Sequence, residues 1–356
     1  MKILVTGATG YVGSRLVPRL LEEGHRVRTT TTDVSREGPW WSDSVETVEM
    51  DIGDDGQVRA AVEGIDAVYY LIHGMGGDDF VEKDREAAER MARAVDEHGV
   101  SRIVYLSGIV PPVEPSKLSD HITSRHHVEE ILSRSSATVL TLRAAVLIGN
   151  GSTSFEIVRQ VSERMPVQTV PSWMDSRVQP IAVVDAIEAL VGALTAEVGT
   201  RSYDIGGPEP LHYAEMLDRY ARVADLERPQ VEVPLVPTDL VGSLVGVITD
   251  VPAPTVEALV ESLHHDMVCA EEDFTADLLR EGYALVDLDE SLRRSLVEPS
   301  DEISADPASA DPMGPLPQDP SWANGGDDES LAGRAAGAVR TIVDEVASAT
   351  GRAAAR

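Results

Sequence analysis

The chain of 356 residues has one cysteine, Cys269, three lysines (Lys2, Lys83 and Lys117) and three phenylalanines. A single thiol permits no internal disulfide, so no small cross-linked scaffold is in view. No apolar run reaches the roughly 18 residues at which bilayer spanning becomes plausible, and no signal-peptide pattern opens the sequence. C-x-x-C, H-E-x-x-H and G-x-S-x-G are also missing, and His264-His265-Asp266 lacks metal-ligand context, so no structural metal is expected. Basic charge is scarce: 30 Lys and Arg stand against 61 Asp and Glu, for a net charge of −31. That charge repels a phosphate backbone and argues against nucleic acid as a partner. With 42% apolar residues the chain can bury a large core, and a soluble, cytoplasmic protein is expected.

The acidity belongs to the folded body. Residues 295–330 hold nine acids, six prolines and no base, and the last 26 residues carry +2, which leaves −24 on residues 1–294. Twenty-seven of the 30 basic residues are arginine. Acidic excess with so little lysine resembles the proteins of salt-accumulating extreme halophiles, where screening offsets self-repulsion.

Strand and helix patterns alternate. Met1–Thr6, His25–Thr30, Val45–Met50, Ala67–Ile72, Ile103–Ser107 and Val139–Arg143 read as strands, and Arg201–Asp204 as a further extended stretch. Helical spacing separates them at Tyr11–Glu23, Gly56–Val62, Asp79–His98 and Asp120–Leu132, and recurs at Thr153–Arg164, Asp185–Thr195 and Tyr213–Ala224. Such alternation predicts an α/β fold with a parallel sheet and helices on both faces. Four regions follow: a dinucleotide-binding domain over 1–225 with substrate-side loops from about 144, an extension packed on the body over 226–294, an acidic Pro-rich disordered linker over 295–330, and an amphipathic helix over 331–356.

Gly7-Ala8-Thr9-Gly10-Tyr11-Val12-Gly13 follows the first strand and opens the first helix. Gly7 permits the tight turn, Gly10 lets a pyrophosphate approach the backbone and Gly13 lets the helix close on the sheet. The helix N-terminus then offers free N–H groups to phosphate. Asp33 lies twenty residues past Gly13, near the distance at which a carboxylate meets the ribose 2′-OH of NAD, while Arg36 and the Thr29–Thr32 run could instead hold the 2′-phosphate of NADP. NADP or NAD is left undecided.

The G-x-x-G-x-x-G spacing resembles the extended and atypical short-chain dehydrogenase/reductases, which are Rossmann-type, doubly wound folds. Tyr69-Tyr70-Leu71-Ile72-His73, Arg102-Ile103-Val104-Tyr105-Leu106-Ser107-Gly108, Leu142-Arg143-Ala144-Ala145, Gly149-Asn150-Gly151-Ser152 and Tyr203-Asp204-Ile205-Gly206-Gly207-Pro208 are similar to the NmrA-like, or YbjT-like, NAD(P)H-binding group, related to the epimerase/dehydratases, over residues 1 to about 290. The resemblance implies that Gly7, Thr9, Gly10, Tyr11, Val12 and Gly13 hold the pyrophosphate. It places Asp51 and Ile52 at the adenine, Leu71, Ile72 and His73 beside the nicotinamide-side ribose, and Ser107 near the nicotinamide. It also implies a smaller, C-terminal substrate-side region in which Arg143, Ser152, Ser154, Phe155, Trp173, Arg177 and Gln179 could form a polar pocket with one aromatic wall, while for the arginines, Arg177 above all, a salt bridge in so acidic a chain, and for Trp173 a place in the core, stand beside that role.

The Tyr-x-x-x-Lys pair that performs proton transfer in these enzymes is absent, since Asp79 and Val113 stand four residues before Lys83 and Lys117. His121 and Arg125 occupy the matching helix, an i, i+4 pair of a titratable imidazole and a permanent cation. His121, Arg125 and Ser107 are therefore the candidate catalytic residues. The function expected is an oxidoreductase or epimerase-like enzyme acting on a small organic carbonyl substrate. A redox sensor without turnover, or a subunit resembling the NAD(P)H-binding accessory protein of respiratory complex I, is the alternative. A homo-oligomer or a respiratory complex is the partner to be considered.

Overall fold

The computed structural model describes residues 1–74, 79–233 and 238–323, and the side chains at 172, 173, 233, 238–240, 244, 258 and 262 lie outside that description. Six strands, β1 (Lys2–Val5), β2 (Arg26–Thr31), β3 (Glu46–Glu49), β4 (Ala67–Tyr70), β5 (Arg102–Gly108) and β6 (Thr138–Ala144), join the edge strand Arg201–Ile205 in one sheet. Its order is Arg201–Ile205, β6, β5, β4, β1, β2, β3, with every pairing parallel.

Period-two alternation sends each strand into two cores. Ile3, Val5, Tyr69, Val104, Leu140 and Leu142 face one apolar cluster; Leu4, Val68, Tyr70, Ile103, Tyr105 and Val139 face the other. The first cluster is closed by helices α1 (Tyr11–Glu22), through Leu16, Val17 and Leu20, and α6 (Val183–Thr195). The second is closed by α2 (Asp55–Val62), α3 (Phe80–His98) and α4 (Asp120–Leu132). Local chemistry sets the helix limits. Asp54 accepts the Gly56 and Gln57 amides ahead of α2, Ser119 accepts the Ile122 amide ahead of α4, and α3 ends on Gly99 at a left-handed φ of 65°.

Beyond β6, helices α5 (Thr153–Arg164), α7 (Tyr213–Val223), α8 (Thr238–Ile248) and α9 (Ala253–Ser262) gather at the C-terminal end of the sheet. Among the described residues no helix is long and apolar enough to cross a membrane.

The acidic segment corrects the expectation of a disordered linker as far as residue 323. Met313 is fully buried, and Asp319 forms a two-point ion pair with Arg15 of α1 at 2.7 and 2.9 Å. Arg15 also donates to the carbonyls of Pro312, Asn150 and Gly314 and lies over the Tyr11 ring. Proline-rich, acidic composition signals disorder only when no buried cation is waiting for its acids. The amphipathic helix expected over 331–356 lies outside the described residues.

Candidate active site

The sheet reverses direction of growth between β1 and β4, and ligands of doubly wound folds sit beyond the strand ends at such a point. The glycine turn occupies it. Gly7 has a φ of 66°, and a Cβ there would meet the Leu71 carbonyl oxygen at 2.9 Å. A Cβ on Gly13 would stand 2.3 Å from the Gly7 oxygen, so only glycine lets α1 approach this closely. The first helical hydrogen bond after the turn runs from the Ser14 amide to the Gly10 carbonyl, which leaves the Tyr11, Val12 and Gly13 amides ahead of the ladder. No acid lies in the first turn of α1 to repel an anion.

A cavity of about 360 Å³ begins at this turn and runs past Leu71, His73, Ser107, His121 and Arg125 into a chamber between α5, α7, α8 and α9. Ser107 Oγ is buried beside the Tyr105 hydroxyl and makes no hydrogen bond of ordinary geometry, so a polar atom waits at the cavity wall. Together the glycine cradle, the free amides and this hydroxyl fit a dinucleotide.

His121 and Arg125 project from α4 into the same space. Arg125 Nε donates to His121 Nε2 at 3.2 Å, which puts the proton of the neutral ring on Nδ1, and Arg125 Nη1 donates to the Leu106 carbonyl at 3.3 Å. The His73 and His121 rings meet edge to face at 6.4 Å. Burial, reinforced by Arg125, pushes the His121 imidazole down to about 3, and Arg125, then burial, hold His73 well below its usual value. Both rings are neutral at physiological pH. His121 lines the cavity, whereas His127, on the same helix, is exposed.

Asp84 braces this wall: its carboxylate accepts the Gly74 amide after β4 and the Ser124 hydroxyl on α4, both at 2.8 Å. Sequence spacing alone assigns Asp84 and Ser124 no shared role, because only the fold brings α3, α4 and the β4 loop together.

Among the expected cofactor residues, Gly7, Gly10, Tyr11, Val12, Gly13, Leu71 and His73 line the cavity, whereas Thr9 is exposed on the turn. Ile72 turns away and packs, with Ile52, against the second core cluster. Asp33, Arg36 and Asp51 stand outside the cavity, past the ends of β2 and β3. Asp33 accepts the Ser35 amide and hydroxyl, and Asp51 accepts the Gly53 amide.

The polar substrate pocket needs correction. Ser152 and Ser154 line the cavity, but Arg143 does not: it is held by Glu129 at 2.6 and 3.0 Å. Phe155 is buried against Tyr220, because helical spacing turns it toward α7 while Ile157, Val158 and Val161 face the cavity. Gln179 spends its amide on the Gly207 carbonyl and the Cys269 amide. Arg177 pairs with Asp266 at the surface, and the Trp173 side chain lies outside the described residues. Apart from Ser152, Thr153, Ser154, Thr169 and Tyr213, the chamber is lined by aliphatic and methionine side chains whose spacing in sequence is that of ordinary core.

A parallel sheet with helices on both faces, a glycine turn at its switch point and a cavity running from that turn define a dinucleotide-binding α/β protein. The family model for NAD(P)H-binding domains matches residues 7–172. A Streptomyces griseus (4-alkanoyl-5-oxo-2,5-dihydrofuran-3-yl)methyl phosphate reductase is 33% identical over 234 residues, 64% of this chain and 74% of that protein. The chain belongs to this NAD(P)H-binding family, among the atypical short-chain dehydrogenase/reductases.

Caulobacter vibrioides ceramide reductase is 30% identical over 53% of this chain and 59% of its own length. An uncharacterized Mycobacterium tuberculosis protein is 29% identical over 196 residues, which span only 20% of that protein. Solved structures share the fold at lower identity. A Staphylococcus aureus nucleoside-diphosphate-sugar epimerase superposes with a TM-score of 0.66 at 15% identity, over 82% of this chain and all of that one. The Bordetella bronchiseptica enzyme WbmH, solved with NAD+, gives 0.60 at 20% identity over 82% of this chain and 96% of that one.

Proposed function

We propose that the protein is an NAD(P)H-dependent reductase of an organic carbonyl compound, with the carbonyl held beside His121, Arg125 and Ser107. The observation that carries this reading is the continuity of the cavity, which passes the dinucleotide turn and the His121–Arg125 pair and continues into a second chamber. A protein that only sensed the nucleotide would need no such room. When bound, the reduced nicotinamide supplies the hydride that converts C=O to CH–O⁻. His121, neutral and with N–H on Nδ1, can donate a hydrogen bond to the oxygen. Arg125 is a fixed positive charge near the developing alkoxide, whose proton comes finally from solvent.

The reading without turnover is favoured by the missing tyrosine and lysine. Oxidation of NADH and NADPH across a carbonyl panel, in dilute buffer and in concentrated KCl, with His121→Ala as control, separates the two. Turnover that falls at least tenfold in the variant supports the reductase; nucleotide binding with no turnover on any carbonyl removes it.

For the nucleotide choice, we take Asp33, just past the end of β2, as the carboxylate that would accept from a ribose 2′-OH and repel a 2′-phosphate. Asp33→Ser removes that charge and should raise the ratio of NADPH to NADH affinity severalfold. Parallel titrations of both nucleotides measure it.

The neutral imidazole also has a stability signature. Unfolded histidine titrates near 6.5, whereas folded His121 takes its proton only at about 3. The unfolded state therefore binds more protons between these values, and stability is lost as pH falls below about 6.5. Asp185, raised to about 6 by burial, acts in the opposite direction below pH 6, so the comparison must be with a variant. His121→Gln should lose less thermal stability than the parent between pH 7 and pH 5, measured by thermal melts.

A further inference from the structure

We infer that the substrate of this site carries an uncharged, flexible aliphatic chain, which lies in the chamber beyond His121. The inference rests on the reductase reading only for where the carbonyl sits; the chamber stands by itself. Its wall is made by Val158 and Val161 of α5, Met165, Met216 of α7, Val245 of α8 and Val260 of α9. In a chain with 61 acidic residues, no Asp or Glu lines the cavity among the described residues, and its only arginine, Arg125, stands at the opposite, nicotinamide end.

A phosphate-bearing substrate would find no cation on this wall, and a sugar would have only the hydroxyls of Ser152, Thr153, Ser154, Thr169 and Tyr213 for its many polar groups. An aliphatic chain loses nothing there and gains with each methylene removed from water. Flexibility follows from the methionines: four of the nine in the chain, Met165, Met174, Met216 and Met267, face the cavity. Set among the valines, these unbranched thioether side chains can re-pack around a ligand that changes conformation. Sequence spacing could not show this, since a helix face turned to an empty chamber has the same pattern as one turned to core.

The test is calorimetric titration of straight-chain 2-alkanones from 2-butanone to 2-tridecanone into the full chain, with and without saturating NADP+ or NAD+, which cannot deliver hydride. Affinity should rise about threefold to fourfold per methylene, the equivalent of about 0.8 kcal/mol, until the chamber is full. Val161→Trp, which fills the chamber, should weaken 2-tridecanone at least tenfold and leave 2-butanone unchanged. Met216→Trp gives the same reading should the first variant not fold, and unchanged nucleotide affinity certifies either. Chain-length dependence without any nucleotide binding would sustain the chamber and remove the reductase. Flat affinity along the series in nucleotide-loaded protein, or tighter binding of a fused-ring ketone or a nucleoside-diphosphate sugar than of 2-tridecanone, would overturn the inference.

Discussion

Gly13→Ala should weaken NADH and NADPH binding about 10- to 100-fold and lower the melting temperature as well. The added methyl would stand 2.3 Å from the Gly7 oxygen and 2.7 Å from the Ala8 Cα, both backbone atoms that cannot rotate aside. Helix α1 must then back away from the turn, and overpacking of this kind costs about 1–3 kcal/mol. Because the displaced amides are those offered to phosphate, the loss appears in nucleotide affinity. Gly10→Ala supplies the contrast. Its Cβ would be 3.2 Å from the Gly7 oxygen, a contact that a small shift relieves, so nucleotide affinity should fall with much less change in melting temperature. Titration and thermal melts of the two variants side by side check both statements.

Asp319→Ala should be the most destabilising single substitution in the acidic segment. Arg15 has no exposed side-chain surface and Asp319 only 3%, so removing the carboxylate leaves a guanidinium buried with carbonyl partners alone. Breaking a buried pair in this way costs about 3–5 kcal/mol. At about 1.5 °C per kcal/mol for a body of more than 300 residues, the melting temperature should drop by roughly 4–8 °C. The paired replacement Arg15→Met with Asp319→Leu removes both charges and should recover most of that loss. If Asp319→Ala melted with the parent, the segment over 306–323 would not be docked on α1 as described.

The sheet was legible because its strands announce themselves twice, by β-branched apolar runs and by their spacing from amphipathic helices. Each helix expected from Tyr11 to Ala224 lies within two residues of its observed bounds. The glycine turn was legible because Gly7 and Gly13 are steric necessities rather than preferences. Elsewhere the site was hidden. Arg143 reads in sequence as part of a polar substrate pocket, but Glu129 on α4 lies beside it across the fold and neutralises it. Phe155 and Val158 are equally apolar, and only the packing of α7 decides which is core and which is cavity wall. The 306–323 segment misled for a related reason: composition reports what a segment would do alone, and Arg15 is 304 residues from Asp319 in sequence.

The most direct measurement is an equilibrium titration of the purified full chain with NADPH and with NADH, followed by nicotinamide emission, beside Gly13→Ala. Saturable uptake of one nucleotide per chain, lost in the variant, is the expected result. Emission indifferent to the parent protein for both nucleotides, or uptake that survives in Gly13→Ala undiminished, would contradict a dinucleotide site at the β1–α1 turn.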